Sequence, residues 1–342
     1  MATAASSTVC NLVQVGTLEL DYEGDQAPNY SGLTVLSPYL LMVIDQRERK
    51  VRLHCVQDGQ LLDTYRPQSD PTDICVCYII ENDIHVAVTL LNAAILILRI
   101  NSIDRMMTCI RTLDLHQIFD QCHGLKYLSG NLAVSGLKRD KVCWGTVSIT
   151  DGQVVTFNKI CYYQEDGGCI ISLTVHPRDK DKICIACDAG GAYYGTDNYE
   201  GEEYPASTGV YGFEGSKRTF FYSDDDLKEP RSITIDKYGY IFVANEEPPC
   251  IHHLTEKGQI VTVYREGMPS SPTAIFWEEN GELYLAVKEN KMITKYKPVY
   301  SHALVRSLLF ACRDVILQQI QEKDIESLTL QKTLKQFLRY ES

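Results

Sequence analysis

The chain has 342 residues, with 45 acidic and 33 basic side chains and a formal net charge of −12. The length suits one large domain with a tail. The acidic balance, without a basic run, removes the phosphate-neutralising surface on which nucleic-acid affinity depends.

Residues 9–20, VCNLVQVGTLEL, read as an isolated strand, and residues 21–30 as an acidic loop. From there the chain falls into repeating units of short strands, at 33–65, 73–115, 124–163, 169–222, 231–264 and 273–296. The fifth unit shows the pattern most plainly. SITID is ended by a turn at Lys237-Tyr238-Gly239, where glycine takes a positive φ without a Cβ clash. Then come YIFVAN, a loop at Pro248-Pro249 where no ladder donor exists, IHHL, a hairpin turn at Lys257-Gly258, and QIVTVY. Four antiparallel strands in so short a stretch make one propeller blade. A blade cannot bury both faces alone, so neighbours must stack on it.

Those neighbours are legible as repeats. The turn and fourth strand recur as Asp58-Gly59 before QLLDTY and Asp151-Gly152 before QVVTF. The second strands align on Ile44, Ala87, Ala133, Ala186, Ala244 and Ala286, at spacings of roughly 42 to 58 residues, the period of propeller blades. The sixth unit has only three clear strands, and the strand at 9–20 is expected to supply its fourth and hide both sheet edges. After Pro298 the period becomes helical, with Leu304, Leu308, Cys312, Val315 and Ile316 on one stripe and Leu330, Leu334, Phe337 and Leu338 on another. The expected fold is therefore all-β, a six-bladed propeller over residues 1–299, with an α-helical tail at 300–342 whose apolar stripes offer a self-association surface.

PRSITIDKYGYIFVAN with its following apolar strand and KGQI resembles an NHL repeat. The succession SDPTDICV, HVAVTL, CHGLKYLSGNLAVS and LKEPRSITIDKYGYIFV resembles the propeller that closes many invertebrate tripartite-motif proteins. The resemblance runs from about residue 9 to residue 300. The clustered Cys and His pairs of RING and B-box zinc sites do not occur in the N-terminal region, so ligase activity is not carried over. The resemblance implies a non-catalytic interaction module, an adaptor or scaffold. The rival class is a calcium-dependent lactonase-like propeller enzyme with a metal held in its channel.

The thirteen cysteines are scattered, and the start MATAASSTV lacks the apolar stretch of a signal peptide. They are expected to be reduced strand residues in a cytoplasmic protein. Residues 84–100 are the most apolar segment but fall short of a membrane helix and read as two strands. Cys184 and Cys187 form a lone CxxC with no second pair for zinc, and His252 and His253 point to opposite faces of a strand. No phosphate loop or nucleophile elbow is present, and no cofactor is expected.

Loops joining second to third strands share a face with those leading into first strands. The longest belongs to the fourth unit. Tyr193, Tyr194, Tyr199, Glu202, Glu203 and Tyr204 lie in it, and Asp224, Asp225 and Asp226 lie in the turn before the fifth unit. Tyrosine supplies rigid amphipathic contact area, and the carboxylates favour a basic partner. These nine residues are the candidate site, for a protein or peptide. Weak Ca²⁺ binding by the same acids is set aside in favour of solvated loops.

Overall fold

The computed structural model describes residues 10–24, 26–139, 141–150, 153–162, 171–187, 208–265, 268 and 270–300. The chain divides into two compact units, 12–297 and a second made of 1–11 with 298–342. The first holds the propeller. Of the second, only residues 10–11 and 298–300 are described, and these are strand ends. The tail expected to be helical lies outside the described residues.

Six four-stranded antiparallel sheets make up the propeller. Blade 1 is Tyr30–Ser37, Leu40–Asp45, Lys50–Cys55 and Leu61–Tyr65, and blade 2 is Pro71–Ile80, Asp83–Leu90, Ala94–Asn101 and Met106–Asp114. Blade 3 is Gln121–Leu128, Asn131–Lys138, Lys141–Ser148 and Val154–Tyr162, and blade 4 is Ile171–Val175, Lys182–Cys187, Gly209–Glu214 and Lys217–Tyr222. Blade 5 is Pro230–Ile235, Ile241–Asn245, Cys250–Leu254 and Ile260–Tyr264. Blade 6 takes Pro272–Trp277, Leu283–Val287 and Met292–Tyr300 from the end of the chain and Cys10–Glu19 from its start. Each blade's first strand lies against the first strands of both neighbours, and the ring closes from blade 6 onto blade 1. These six inner strands line a central channel.

Burial explains the strand patterns. Second strands such as Leu40–Asp45 and Ile241–Asn245 are buried along their whole length, so they are continuously apolar and do not alternate. Outer strands such as Leu61–Tyr65 are only partly covered and mix polar with apolar residues. The core is six apolar wedges, one per blade interface. Along one strand, Met42 and Ile44 fill the wedge between blades 1 and 2, while Leu41 and Val43 fill that between blades 6 and 1. The aligned column is fully buried in every blade, at Ile44, Ala87, Ala133, Ala186, Ala244 and Ala286. Ile44, Ala244 and Ala286 pair with Val51, Ile251 and Ile293. Gly59, Gly239 and Gly258 take positive φ at the expected turns.

Inner strands begin one to three residues earlier than the alternation suggests, at Tyr30, Pro71, Gln121, Pro230 and Pro272. The reason is a β-bulge. In five blades the inner strand carries one extra residue against its neighbour near its start: between Tyr30 and Gly32, Pro71 and Ile74, Cys122 and Leu125, Pro230 and Ser232, and Pro272 and Ala274. A bulge breaks the two-residue period and re-aims a side chain.

The closing strand is clamped where it leaves blade 6. Leu20 N donates to the Lys291 carbonyl at 3.0 Å and Asp21 N to the Gly59 carbonyl at 2.9 Å. Gly59 must be glycine there, since a Cβ would lie 1.8 Å from the Glu19 carbonyl oxygen. Next, Tyr22 Oη donates to Asp45 Oδ2 at 2.9 Å, and the Arg52 guanidinium lies 4.6 Å from the Tyr22 ring centre. Arg52 is 1% exposed and donates to Glu48 at 3.0 Å and Asp45 at 3.5 Å. A buried guanidinium is tolerated only when carboxylates and hydrogen bonds surround it.

Deletion of residues 1–20 should leave blade 6 with an unpaired edge, giving aggregation or a large loss of melting temperature on size-exclusion chromatography and thermal unfolding. Ala244→Phe should overpack the wedge between blades 5 and 6 and cost about 1–3 kcal/mol or more, read by chemical denaturation.

Candidate functional site

The five bulges turn one ring of residues toward one mouth of the channel. A cavity of about 480 Å³ opens there, with Ser31, Thr72, Asp73, His123, Ser172, Arg231 and Thr273 of the inner strands on its wall. Gln46, Leu91, Glu246 and Lys288, where second strands turn toward third strands, form its rim. This is the face on which the sequence places the longest loops, and all six blades contribute to it.

Blade 2 is tied to blade 3 at the ring. Thr72 Oγ1 lies 2.9 Å from Thr89 Oγ1 and 3.1 Å from the carbonyl oxygens of Cys122 and His123. Thr89 Oγ1 donates to the His123 carbonyl at 2.8 Å. Asp73 Oδ1 accepts from its neighbour Ile74 N at 2.8 Å, and Oδ2 accepts from Leu125 N of blade 3 at 2.9 Å. Asp73 is walled in by protein, though its surface opens onto the channel. Burial raises its carboxyl to about 7, against the pull of the Leu125 and Ile74 amides and of Lys126. His123, beside it, is lowered to about 4 because the charged imidazolium would be desolvated. At neutral pH its ring is uncharged and offers one nitrogen as an acceptor.

The opposite wall, on blades 5 and 6, is an ion cluster. Arg231 Nε donates to Glu246 and its Nη2 to Glu229 at 2.8 Å, while Lys288 Nζ bonds the other Glu246 oxygen. Burial alone would raise the Glu246 carboxyl, but the bonds from Lys288 and Arg231 outweigh it and hold the group below its usual range. Two cations therefore meet two carboxylates on this wall. Asp73 has no ion-pair partner among the described residues.

Several polar atoms at this cavity have no hydrogen-bond partner among the described residues: Ser31 Oγ, His123 Nε2 and Thr273 Oγ1. Thr273 is only 6% exposed. Buried polar groups are nearly always satisfied, so unmatched donors and acceptors on a cavity wall mark a place suited to a polar ligand.

Of the sequence-derived candidates, Tyr193, Tyr194, Tyr199, Glu202, Glu203 and Tyr204 lie outside the described residues. Asp224, Asp225 and Asp226 are at the surface but do not line the cavity. Asp224 Oδ1 accepts from Asp226 N at 3.0 Å and shapes the turn, and Asp226 pairs with Arg265. Buried Asn245 staples this turn by accepting from Glu229 N at 2.9 Å and donating to the Asp226 carbonyl at 3.0 Å. Two of the three acids thus hold local structure, and Asp225 is exposed.

The ring residues were missed in sequence because they sit at bulges. A usable signal was there: Pro71-Thr72, Pro230-Arg231 and Pro272-Thr273 repeat a proline followed by a polar residue where an inner strand starts, a site proline tolerates. Among the described residues no three His, Cys, Asp or Glu side chains form a metal-binding group. His252 bonds Tyr222 Oη at 2.9 Å, while His253 stacks on Phe242 with centroids 4.4 Å apart, so the pair does face different wedges. Cys184 and Cys187 likewise fill different wedges.

No protein-family model matches the chain and no curated protein matches it. Solved structures do. A structural-genomics protein of unknown function from Bacteroides thetaiotaomicron is 13% identical with a TM-score of 0.57, covering 85% of this chain and 76% of its own. BamB from Moraxella catarrhalis is 13% identical with a TM-score of 0.47, covering 84% of this chain and 100% of its own. At these identities the likeness is one of fold.

Asp73 and His123 should give opposite pH signatures. Between 3.8 and about 7 the folded Asp73 binds a proton that the unfolded chain has released, so its contribution falls as pH rises. Between about 4 and 6.5 the unfolded chain binds the proton that folded His123 refuses, so stability rises with pH. The stability of wild type relative to Asp73→Asn should therefore fall on going from pH 4 to 7, and that of wild type relative to His123→Asn should rise from pH 4 to 6.5. Denaturation series at several pH values measure both slopes.

Proposed function

We propose that the chain is a non-catalytic protein-interaction module of NHL type, a cytoplasmic adaptor or scaffold, which binds a basic protein or peptide on the face where the inner strands begin. One observation carries this: a carboxylate without an ion pair, Asp73, stands at a channel mouth beside hydroxyl and imidazole groups that lack hydrogen-bond partners. A polar group buried without a partner costs about 1–3 kcal/mol. A lysine ammonium or arginine guanidinium brings three or five donors and the charge that Asp73 lacks. His123, uncharged at neutral pH, does not repel such a group, and the far wall is neutralised by Glu246 and Glu229.

The long blade 4 segment joins the strand ending at Cys187 to the one starting at Gly209. In this reading its tyrosines and acids, with Asp225, form the outer part of the contact, where negative charge speeds capture of a basic partner.

The test uses the intact chain and a panel of labelled basic peptides, with circular dichroism to confirm folding of each variant. Asp73→Asn should weaken the peptides that bind by about tenfold, in the range of an anchor contact. Tyr193→Ser combined with Tyr194→Ser and Tyr199→Ser should weaken them as well, and added salt should weaken what remains. Affinities unchanged in both variants rule the reading out. Calcium recovered in stoichiometric amount from the purified protein, together with lactone hydrolysis, would favour the hydrolase alternative.

A further inference from the structure

The inner strands also end at a mouth. There the channel widens into a second cavity of about 800 Å³, and its wall divides by blade. On blades 1 and 2 it is mostly apolar, with Val35, Leu36, Cys75, Val76 and Ile79 beside Thr34 and Ser37. Tyr39, on the turn that follows the blade 1 inner strand, and Ile79 and Ile80, at the end of the blade 2 inner strand, are 58%, 59% and 57% exposed, and of these three Ile79 lines the cavity. Blades 3, 4 and 5 present Lys126, Lys180 and Lys237, and blade 6 presents Phe276, Trp277, Glu278 and Glu279.

Two features of this mouth run against the rest of the chain. First, acids outnumber bases by 45 to 33, so a lysine has carboxylates to spare. Yet none of these three lysines forms an ion pair among the described residues. Lys126 lies 5.6 Å from the Phe276 ring centre, Lys237 lies 5.2 Å from that of Tyr238, and Lys180 bonds the Ser129 hydroxyl. Charges of one sign from three adjacent blades add to a positive field along one arc of the opening. Second, large apolar side chains stand in solvent at the end of the blade 2 inner strand, Ile79 and Ile80, and on the turn after the blade 1 inner strand, Tyr39. Exposed large apolar side chains beside a cavity mouth mark interaction sites. Trp277 Nε1, at the same wall, is a buried donor with no acceptor among the described residues, and Glu278 Oε2 beside it is a buried acceptor with no donor among them.

We propose that this second mouth docks an acidic peptide segment carrying an apolar anchor. The anchor packs on Tyr39, Ile79 and Ile80, and the carboxylates face Lys126, Lys180 and Lys237. Trp277 Nε1–H suits a backbone carbonyl of the segment, since an indole can only donate. A phosphate polymer or an anionic lipid headgroup would answer the lysines but leave the apolar arc uncovered, so a peptide fits the whole mouth better. The two mouths then prefer opposite charges, and the inference holds whether or not the first mouth binds as proposed.

The experiment immobilises the intact protein and selects from two pooled synthetic peptide libraries. One carries Asp or Glu beside Leu, Phe or Trp; the other is matched but carries Lys or Arg in place of the acids. Acidic, anchored peptides should be enriched, and individual winners should bind at least about tenfold more weakly to Lys180→Glu/Lys237→Glu and to Ile79→Ser/Ile80→Ser, losses of hot-spot size. All four positions are exposed, so these variants should fold, which circular dichroism checks. The triple variant Tyr193→Ser/Tyr194→Ser/Tyr199→Ser, which tests the first mouth, should leave the winners unchanged and so separates the two readings. No acidic enrichment, or winners insensitive to both double variants, overturns the proposal. So does displacement of the winners by an oligodeoxythymidine or by phosphoinositide vesicles at lower concentration than by free peptide, which would assign the mouth to phosphate.

Discussion

Every other feature of this molecule depends on closing the ring. Each blade has two apolar faces, and each face is buried only by the next blade. An open arc of six would therefore leave two faces and a sheet edge in water. The last blade takes three strands from the end of the chain and its fourth, Cys10–Glu19, from the start. The ends of the propeller sequence are thus held in one hydrogen-bonded sheet, and no blade can leave the ring without breaking it. The segment that follows is fastened as well. Tyr22, Asp45, Glu48 and Arg52 form a cluster of charge and aromatic contact, which takes a buried guanidinium out of water without leaving it uncompensated. The cluster fixes where the closing strand ends and blade 1 begins.

Closure also sets a problem at the centre. Inner strands are sheet edges facing the channel, so some of their amides lack a ladder partner. Side chains from neighbouring blades answer them at one level of the ring. Asp73 of blade 2 accepts from Leu125 N, Ser172 of blade 4 from Ile233 N at 3.2 Å, and Ser232 of blade 5 from Ile275 N at 3.2 Å. Gly32 and Gly124 occupy the corresponding positions in blades 1 and 3. A Cβ at Gly124 would lie 2.5 Å from Leu173 N, and one at Gly32 would lie 2.9 Å from Ile44 Cδ1. Asp73 is the one carboxylate in a column otherwise made of serine, glycine and alanine. Serine at Ser172 and Ser232 meets the structural need. The additional charge at Asp73 exceeds that need, and burial holds it near neutrality.

The two ends of the channel differ because the strands that frame them differ. Where inner strands begin, bulges turn short polar side chains inward, and the wall is a ring of hydroxyls, one carboxylate and a neutralised ion cluster. Where they end, bulges occur in blades 1 and 2, between Val35 and Ser37 and between Val76 and Tyr78, and the wall passes to the exposed side chains Tyr39, Ile79, Ile80 and Tyr238. The first mouth suits a small charged group that enters; the second is wider and suits a segment that lies across it.

Much of the architecture was legible in the residues. Continuous apolar runs such as LLMVID and IFVAN mark strands buried on both faces, and the recurring small residue in that column marks where blades press together. The deficit of one strand in blade 6 and the orphan strand at the start of the chain pointed to their union, because an exposed edge is costly. The face carrying first-strand starts could also be chosen, since loop order alone decides which turns share an end. The residues on that face's cavity could not. Ser31, Asp73, His123, Arg231 and Thr273 are separated by dozens of positions, and they meet because six strands converge on one axis. Their inward aim comes from a single extra residue per strand, which shifts the two-residue alternation on which a strand is recognised. Whether Asp224 and Asp226 are free or occupied with their own turn, and that Lys126, Lys180 and Lys237 form no ion pair among the described residues of a chain rich in carboxylates, are matters of distance. Local sequence decides which strands form; only the closed ring decides which side chains face one another across the channel.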